Sequence, residues 1–107
     1  MRPEALKGHL DALLLAVVAE EPAHGYAILE RLKQRSCGAF DLPEGTIYPA
    51  LHRLEEAGLL RSRWEPGATR RRRVYQLTAR GRDVLGTSIE EWRLFSRTVD
   101  AVLAGAA

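Results

Sequence analysis

The sequence predicts a mainly α-helical fold that includes one small β-hairpin. Apolar residues recur at helical spacing in four separate stretches, near residues 10–18, 23–36, 44–57 and 79–103. Two short alternating stretches flank a turn that contains Pro66 and Gly67, a pattern typical of a hairpin. With 107 residues, of which 46% are hydrophobic, the chain fits one compact domain and is not a disordered tail.

The first predicted helix is apolar around most of its circumference. One stripe of large apolar residues runs along it: Leu10, Leu13, Leu14 and Val17. Leu15 and Val18 add apolar surface on the other side, so this helix must be buried on more than one side. Pro22 ends it, because proline restricts the preceding residue. A second helix is predicted from about Ala23 to Ser36.

The third predicted helix runs from about Glu44 to Ala57 and has one apolar and one polar side. Ile47, Leu51 and Leu54 share the apolar stripe. Proline at position 49 lies early in the helix, where it costs at most one backbone hydrogen bond. Position 41 is Asp and position 44 is Glu, which is the spacing of a capping box.

A hairpin and a long helix complete the predicted fold. The strands are expected at residues 60–64 and 72–77, and Thr78 is expected to cap a helix from about Ala79 to Leu103. The apolar positions of that last helix step by three or four residues, which is close to a heptad seam. They include Leu85, Ile89, Trp92, Phe95 and Val99.

Charge is concentrated in the hairpin segment. The net charge of the chain is only +2, yet residues 61–82 carry eight basic side chains and one acidic side chain. The chain contains 14 Arg and 2 Lys, and the guanidinium fork suits phosphate and guanine edges. This distribution predicts a polyanionic partner for the hairpin.

Three helices followed by a basic hairpin form a winged helix-turn-helix, here with an additional C-terminal helix. In this fold the second helix of the motif lies in the major groove of DNA, and the hairpin, or wing, reaches the neighbouring backbone or minor groove. We therefore expect residues 1–78 to form a DNA-binding domain and residues 79–107 to form a dimerisation helix.

Four segments with their spacing resemble the PadR family of transcriptional regulators, in its branch with a short C-terminal helix. They are His24–Ile28 (HGYAI), Gly45–Glu55 (GTIYPALHRLE), Gly58–Leu60 (GLL) and Arg73–Thr78 (RVYQLT). The resemblance implies a homodimeric bacterial repressor in which the last helix packs against the first helix of the partner. The wing departs from many relatives, because it has four arginines at positions 70–73 after a single glycine.

Candidate DNA-binding residues come from the third helix, the wing and the start of the second helix. They are Thr46, Tyr48, Pro49, His52, Arg53, Arg70, Arg71, Arg72, Arg73, His24 and Tyr26. Arginine can bind guanine or phosphate, and free N–H groups at a helix N-terminus attract phosphate. The alternatives are a solvated helix face, general solubility charge for the arginines, and packing at the start of the second helix.

The candidate dimer interface combines the stripes of the first and last helices. Its residues are Leu10, Leu13, Leu14, Val17, Leu85, Ile89, Trp92, Phe95 and Val99. Trp92 is interpreted first as an anchor of the dimer. The resemblance also implies a second role, as a shelf on which a planar aromatic or cationic effector stacks.

Several other functional classes are disfavoured. The single cysteine, Cys37, excludes an internal disulfide and a Cys-based zinc site, and the three histidines lack ligand-like spacing, so neither a metal nor a cofactor is expected. No nucleophile–base pair or phosphate loop indicates an enzyme. The apolar run at residues 12–19 is too short for a membrane span, and we expect a cytoplasmic protein. A winged-helix protein-interaction module that does not bind DNA remains the alternative function.

Overall fold

Four helices and three short strands follow one another over residues 6, 8–67 and 72–106, which the computed structural model describes. The elements are α1 (Leu10–Glu20), β1 (Ala23–His24), α2 (Gly25–Arg35), α3 (Glu44–Glu56), β2 (Leu60–Trp64), β3 (Arg73–Leu77) and α4 (Ala79–Ala104). This order confirms the mainly α-helical fold with a hairpin that the sequence predicts.

The sheet contains one strand more than the predicted hairpin. Its order is β1-β3-β2, and both pairings are antiparallel. Ala23 lies opposite Tyr75, and His24 lies opposite Val74. The prediction that the second helix starts at Ala23 is therefore wrong by two residues. A strand of two residues is too short to show the alternation by which strands are recognised in a sequence.

The core lies between the helices and one face of the sheet. Its most deeply buried side chains are Leu14, Leu15, Val17, Val18, Ile28, Leu32, Ile47, Ala50, Leu51, Leu54, Leu60 and Tyr75. Two of the expected dimer residues belong to it, because Leu14 is 0% exposed and Val17 is 2% exposed in the single protomer. Leu10 and Leu13 are only partly buried against this core. The expected interface is thus corrected, because Leu14 and Val17 cannot reach a partner without opening the core.

The start of α3 differs from the prediction. Pro43 is the N-cap residue, and no side chain caps the helix. The predicted capping box is wrong, because Asp41 lies two residues before the cap and its carboxylate is instead 3.7 Å from the amine of Lys33. Glu44 occupies the first turn, where the helix dipole favours an acidic side chain.

Thr78 caps α4 as predicted and also joins this helix to the turn between α3 and β2. Its Oγ1 accepts a hydrogen bond of 3.0 Å from the Gly81 amide and donates one of 2.7 Å to the Gly58 carbonyl. A Cβ at position 81 would collide with the Leu59 carbonyl and lie 2.9 Å from Leu77 Cδ1. The close approach permitted by glycine fixes where α4 leaves the sheet.

Most of α4 projects beyond the core. It has 26 residues, which corresponds to about 39 Å of helix, and the molecule measures 57 Å along its longest axis. Within this helix the exposed large apolar side chains are Val84, Ile89, Trp92, Leu94, Phe95, Val102 and Leu103. Over the described residues, no helix is long and apolar enough to cross a bilayer.

Candidate nucleic-acid interface

Helix α3 is divided into a buried and an exposed side. Ile47, Ala50, Leu51 and Leu54 are all at most 2% exposed and attach the helix to the core. The opposite side is open to solvent and contains four of the predicted residues: Thr46, Pro49, His52 and Arg53. An α-helix that is anchored on one side and exposed on the other has the shape required to enter a major groove.

Tyr48 lies at the junction between α3 and α2, and it is partly buried. Its ring covers Gly25, since a Cβ at that position would come within 2.7 Å of Tyr48 Cζ and 2.8 Å of Tyr48 Oη. Burial, with a contribution from the carboxylate of Glu44, raises the pKa of Tyr48. The ring therefore sets the spacing of the two helices.

Arg53 is connected to α1. Its Nη2 lies 2.5 Å from Oδ1 of Asp11, and both side chains are about half-exposed. Arg53 is the only Arg or Lys between Arg35 and Arg61 in the sequence, so it supplies the cationic group of α3. Sequence reasoning missed this pair, because the two residues are separated by 42 positions.

His24 caps α2 with its own ring. Nδ1 accepts a hydrogen bond of 3.3 Å from the amide of Ala27, so one N–H group of this helix terminus is already satisfied. A neutral imidazole that accepts at Nδ1 carries its proton on Nε2. Arg72 Nη1 lies 3.3 Å from that Nε2, so the two contacts cannot both be hydrogen bonds. Of the two residues predicted here, Tyr26 is the more accessible, with 55% of its surface exposed.

A chain of polar contacts links α3 to both strands of the wing. Ser62 Oγ donates a hydrogen bond of 2.7 Å to Glu55 Oε2 and accepts one of 2.8 Å from Arg73 Nη1. The guanidinium carbon of Arg73 also lies 4.6 Å from the ring centroid of Trp64. Burial raises the pKa of Tyr75, and the Glu55 carboxylate adds to the effect. These contacts hold the wing at a fixed angle to α3.

The wing arginines fall into two groups. Arg70 and Arg71 lie outside the described residues. Arg72 is exposed and forms an ion pair of 2.5 Å between its Nε and Oε2 of Glu65, whereas Arg73 is bound to Ser62. Arg72 and Arg73 are therefore engaged within the wing, at the end of the strand pair next to its tip.

An exposed aromatic cluster lies where α4 meets the residue before α1. Trp92 is 52% exposed and Phe95 is 59% exposed. The ring of His9 meets Trp92 edge to face, with centroids 5.2 Å apart, and Trp92 and Phe95 centroids are 6.3 Å apart. In this protomer Trp92 is thus part of a surface and not of the core.

Comparison with known proteins gives the family. The sequence profile of the Transcriptional regulator PadR-like family matches residues 14–87, which include α2, α3 and the wing strands. The chain belongs to the PadR-like family. It is accordingly a transcriptional regulator and not an enzyme, and DNA binding is implied by the family.

Relatives of this PadR-like protein are similar over most of its length. The transcriptional regulator Rv3488 of Mycobacterium tuberculosis is 35% identical over 92 residues, which cover 86% of this chain and 80% of that protein. A transcriptional regulator from Clostridium thermocellum has a similar structure, with a TM-score of 0.85, 26% identity, and coverage of 92% of this chain and 96% of the other. A PadR family transcription regulator from Clostridium difficile R20291 has a TM-score of 0.80 and 32% identity, and the coverage is 90% and 99%.

Proposed function

We propose that this PadR-like chain is a homodimeric repressor that binds an inverted-repeat operator and responds to a small-molecule effector. The observation that carries the proposal is the exposed polar side of α3 beside a basic wing. Thr46, Pro49, His52 and Arg53 lie on that exposed side, and residues 61–82 carry a large excess of arginine. In this arrangement α3 reads base edges, and the wing contacts the DNA backbone or minor groove.

Within the proposed interface, the roles divide by position. Thr46 lies near the N-terminus of α3 and His52 lies about one and two-thirds turns later, so these side chains are assigned to base edges. Arg53 is assigned to a phosphate, because it lies in the last turn and is already held at one side by Asp11. Arg70 and Arg71 are assigned to phosphates from the sequence, and Tyr26 is assigned to the backbone beside α2.

The homodimer is proposed from the exposed apolar surface of α4. Ile89, Trp92 and Phe95 are 38%, 52% and 59% exposed, and burying such surface contributes about 25 cal/mol per Å². Leu10 and Leu13 extend this surface onto α1, where they are partly buried. Two-fold symmetry would place two α3 helices about 34 Å apart, which matches successive major grooves of an inverted repeat.

The effector site is proposed at the aromatic cluster of His9, Trp92 and Phe95. Exposed aromatic rings bind planar aromatic or cationic compounds through stacking and cation–π contacts. A compound at the dimer interface would release DNA only if it bound the two forms of the dimer with different affinities. Quenching of Trp92 fluorescence by proflavine, in a Trp64→Phe background without DNA, tests whether the surface takes such compounds.

The experiment that tests the DNA-binding proposal is selection of duplexes from a random pool, followed by fluorescence anisotropy with the selected duplex. The logarithm of the affinity should fall linearly with the logarithm of the salt concentration. Replacing Arg70 and Arg71 by Ala should reduce that slope by about 0.9 for each phosphate that the wing no longer binds. A protein-interaction module would instead select no duplex, and its apolar contacts would show little salt dependence.

A further inference from the structure

Among the described residues, two ion pairs connect α1 to neighbouring helices, and one of them involves the proposed DNA-binding side. Asp11 in the first turn of α1 holds Arg53 of α3 at 2.5 Å. Glu20 in the last turn of α1 holds Arg35 of α2 at 2.6 Å. The exposures of the two pairs are similar, with 59% and 49% for Arg53 and Asp11, and 53% and 46% for Arg35 and Glu20.

The geometry of the first pair leaves part of the guanidinium available. Asp11 uses one oxygen, Oδ1, and contacts one nitrogen, Nη2. Among the described residues, no other polar group is bonded to Arg53. Guanidinium has five N–H donors in a rigid fork, so the N–H groups at Nη1 and Nε remain free for an acceptor on DNA while Nη2 is held.

We propose that Asp11 is a positioning residue of the DNA interface, and that it acts on DNA recognition through Arg53. The inference rests on the proposed function, because it requires α3 to face DNA. A long arginine side chain loses rotamer freedom when it binds. The pair with Asp11 removes part of that freedom before DNA binds. The guanidinium of Arg53 is therefore preorganised when α3 enters the groove.

The proposal has a consequence that simple electrostatics does not share. Asp11 is a negative charge beside a DNA-binding surface, so as a bystander it would only repel phosphates. Removing its charge would then raise the affinity for every duplex. As a positioning residue, it would instead favour the operator, because the Arg53 fork meets its phosphate only when α3 is fully seated in the groove, as it is on the operator and not on unrelated DNA. Asp11→Asn should therefore lower the affinity for the operator while leaving or raising the affinity for unrelated DNA.

The experiment compares five proteins on two duplexes. They are wild type, Asp11→Asn, Arg53→Ala, the double variant, and Glu20→Gln as a matched control on the same helix. The duplexes are one selected by the wild-type protein from a random pool and a scrambled duplex of the same composition. The readout is the affinity for the selected duplex divided by the affinity for the scrambled duplex, both at the same salt concentration. A small change in helix stability does not alter this ratio.

We expect Asp11→Asn to lower this ratio by about two- to fivefold, the range for an exposed ion pair. Glu20→Gln should leave the ratio unchanged. In the Arg53→Ala background, Asp11→Asn should have no further effect, because the group that it positions is gone.

Equal changes on both duplexes, or the same loss in the Arg53→Ala background, would overturn the role of Asp11. In that case the wild-type protein would still bind its selected duplex more tightly than the scrambled duplex, and the proposed function would stand. Failure of the wild-type protein to select any duplex would overturn the proposed function together with this inference.

Discussion

The ring of Tyr48 on α3 occupies the space in which residue 25, the first residue of α2, would carry a side chain. A Cβ at Gly25 would lie 2.7 Å from Tyr48 Cζ, which is far inside the contact distance of two carbon atoms. The two helices of the helix-turn-helix are therefore spaced by one glycine and one aromatic ring. This contact therefore also determines where the exposed side of α3 lies relative to α2.

Gly25→Ala is expected to destabilise the protein by about 1–3 kcal/mol, because Tyr48 must move to admit the methyl group. Gly86→Ala is the matched control, since Gly86 is also helical and a Cβ there meets nothing within 4 Å. That control should be neutral or stabilising by up to about 1 kcal/mol. Urea denaturation of both variants at one protein concentration measures the difference. Equal stability of the two variants would contradict the packing of Tyr48 on Gly25.

Thr78→Val is expected to cost about 0.5–2 kcal/mol of stability, the usual range for loss of an N-cap. The substitution keeps the shape of the side chain and removes the hydroxyl that bonds the Gly81 amide and the Gly58 carbonyl. Thr78→Ser keeps the hydroxyl and should stay close to wild type. Thermal unfolding followed by circular dichroism measures the stability of both variants. If Thr78→Ser is as unstable as Thr78→Val, the loss of stability does not come from the hydroxyl.

Deprotonation of two tyrosines, Tyr48 and Tyr75, should contribute to a fall in stability at alkaline pH. Burial raises the pKa of Tyr75 and of Tyr48, so the unfolded chain loses these protons at lower pH than the folded protein. Their contribution is fully present below the unfolded pKa of about 10 and is lost as the pH rises through the folded values.

The unfolding midpoint measured between pH 8 and pH 11 tests this pH dependence. Tyr75→Phe should flatten the fall above pH 10, whereas Tyr26→Phe, at a side chain that is 55% exposed, should reproduce the wild-type curve. A Tyr75→Phe protein with the same alkaline fall as wild type would exclude Tyr75 as a source.

Ile89→Asp should convert the proposed dimer to monomers or to insoluble protein, because it places a charge in the apolar surface of α4. Leu94→Asp is the control on the same helix, since Leu94 is 60% exposed and lies about 140° away around the helix axis. That variant should keep the wild-type mass in light scattering. A dimer of Ile89→Asp with wild-type stability would remove this surface from the interface.

The order of the elements could be predicted from the sequence because each carries a local signal. The spacing of apolar residues predicted α3, and alternation on either side of Pro66 and Gly67 predicted the hairpin. Thr78, as a typical N-cap residue, predicted the start of α4. These signals arise within a few residues of chain, which is the range over which periodicity and capping act. The exposed side of α3 followed from the same periodicity.

The contacts that organise the candidate site could not be predicted in this way. Asp11 and Arg53 are distant in sequence, and whether two charges pair depends on how α1 and α3 are packed. The same holds for His24, whose ring caps α2 and also approaches Arg72 of the wing. The apolar stripe of α1 was correctly identified as buried, but periodicity alone cannot tell burial in the protomer's own core from burial against a partner.

Binding of one inverted repeat by two copies of this chain, through α3 and the wing, is the proposal on which the others depend. It is best measured by an anisotropy titration of a selected duplex with the wild-type protein at several salt concentrations, together with the stoichiometry at saturation. We expect two protomers per duplex, and an affinity that falls steeply and linearly on a log–log plot against salt. A single protomer per duplex, or an affinity that does not respond to salt, would contradict the proposal.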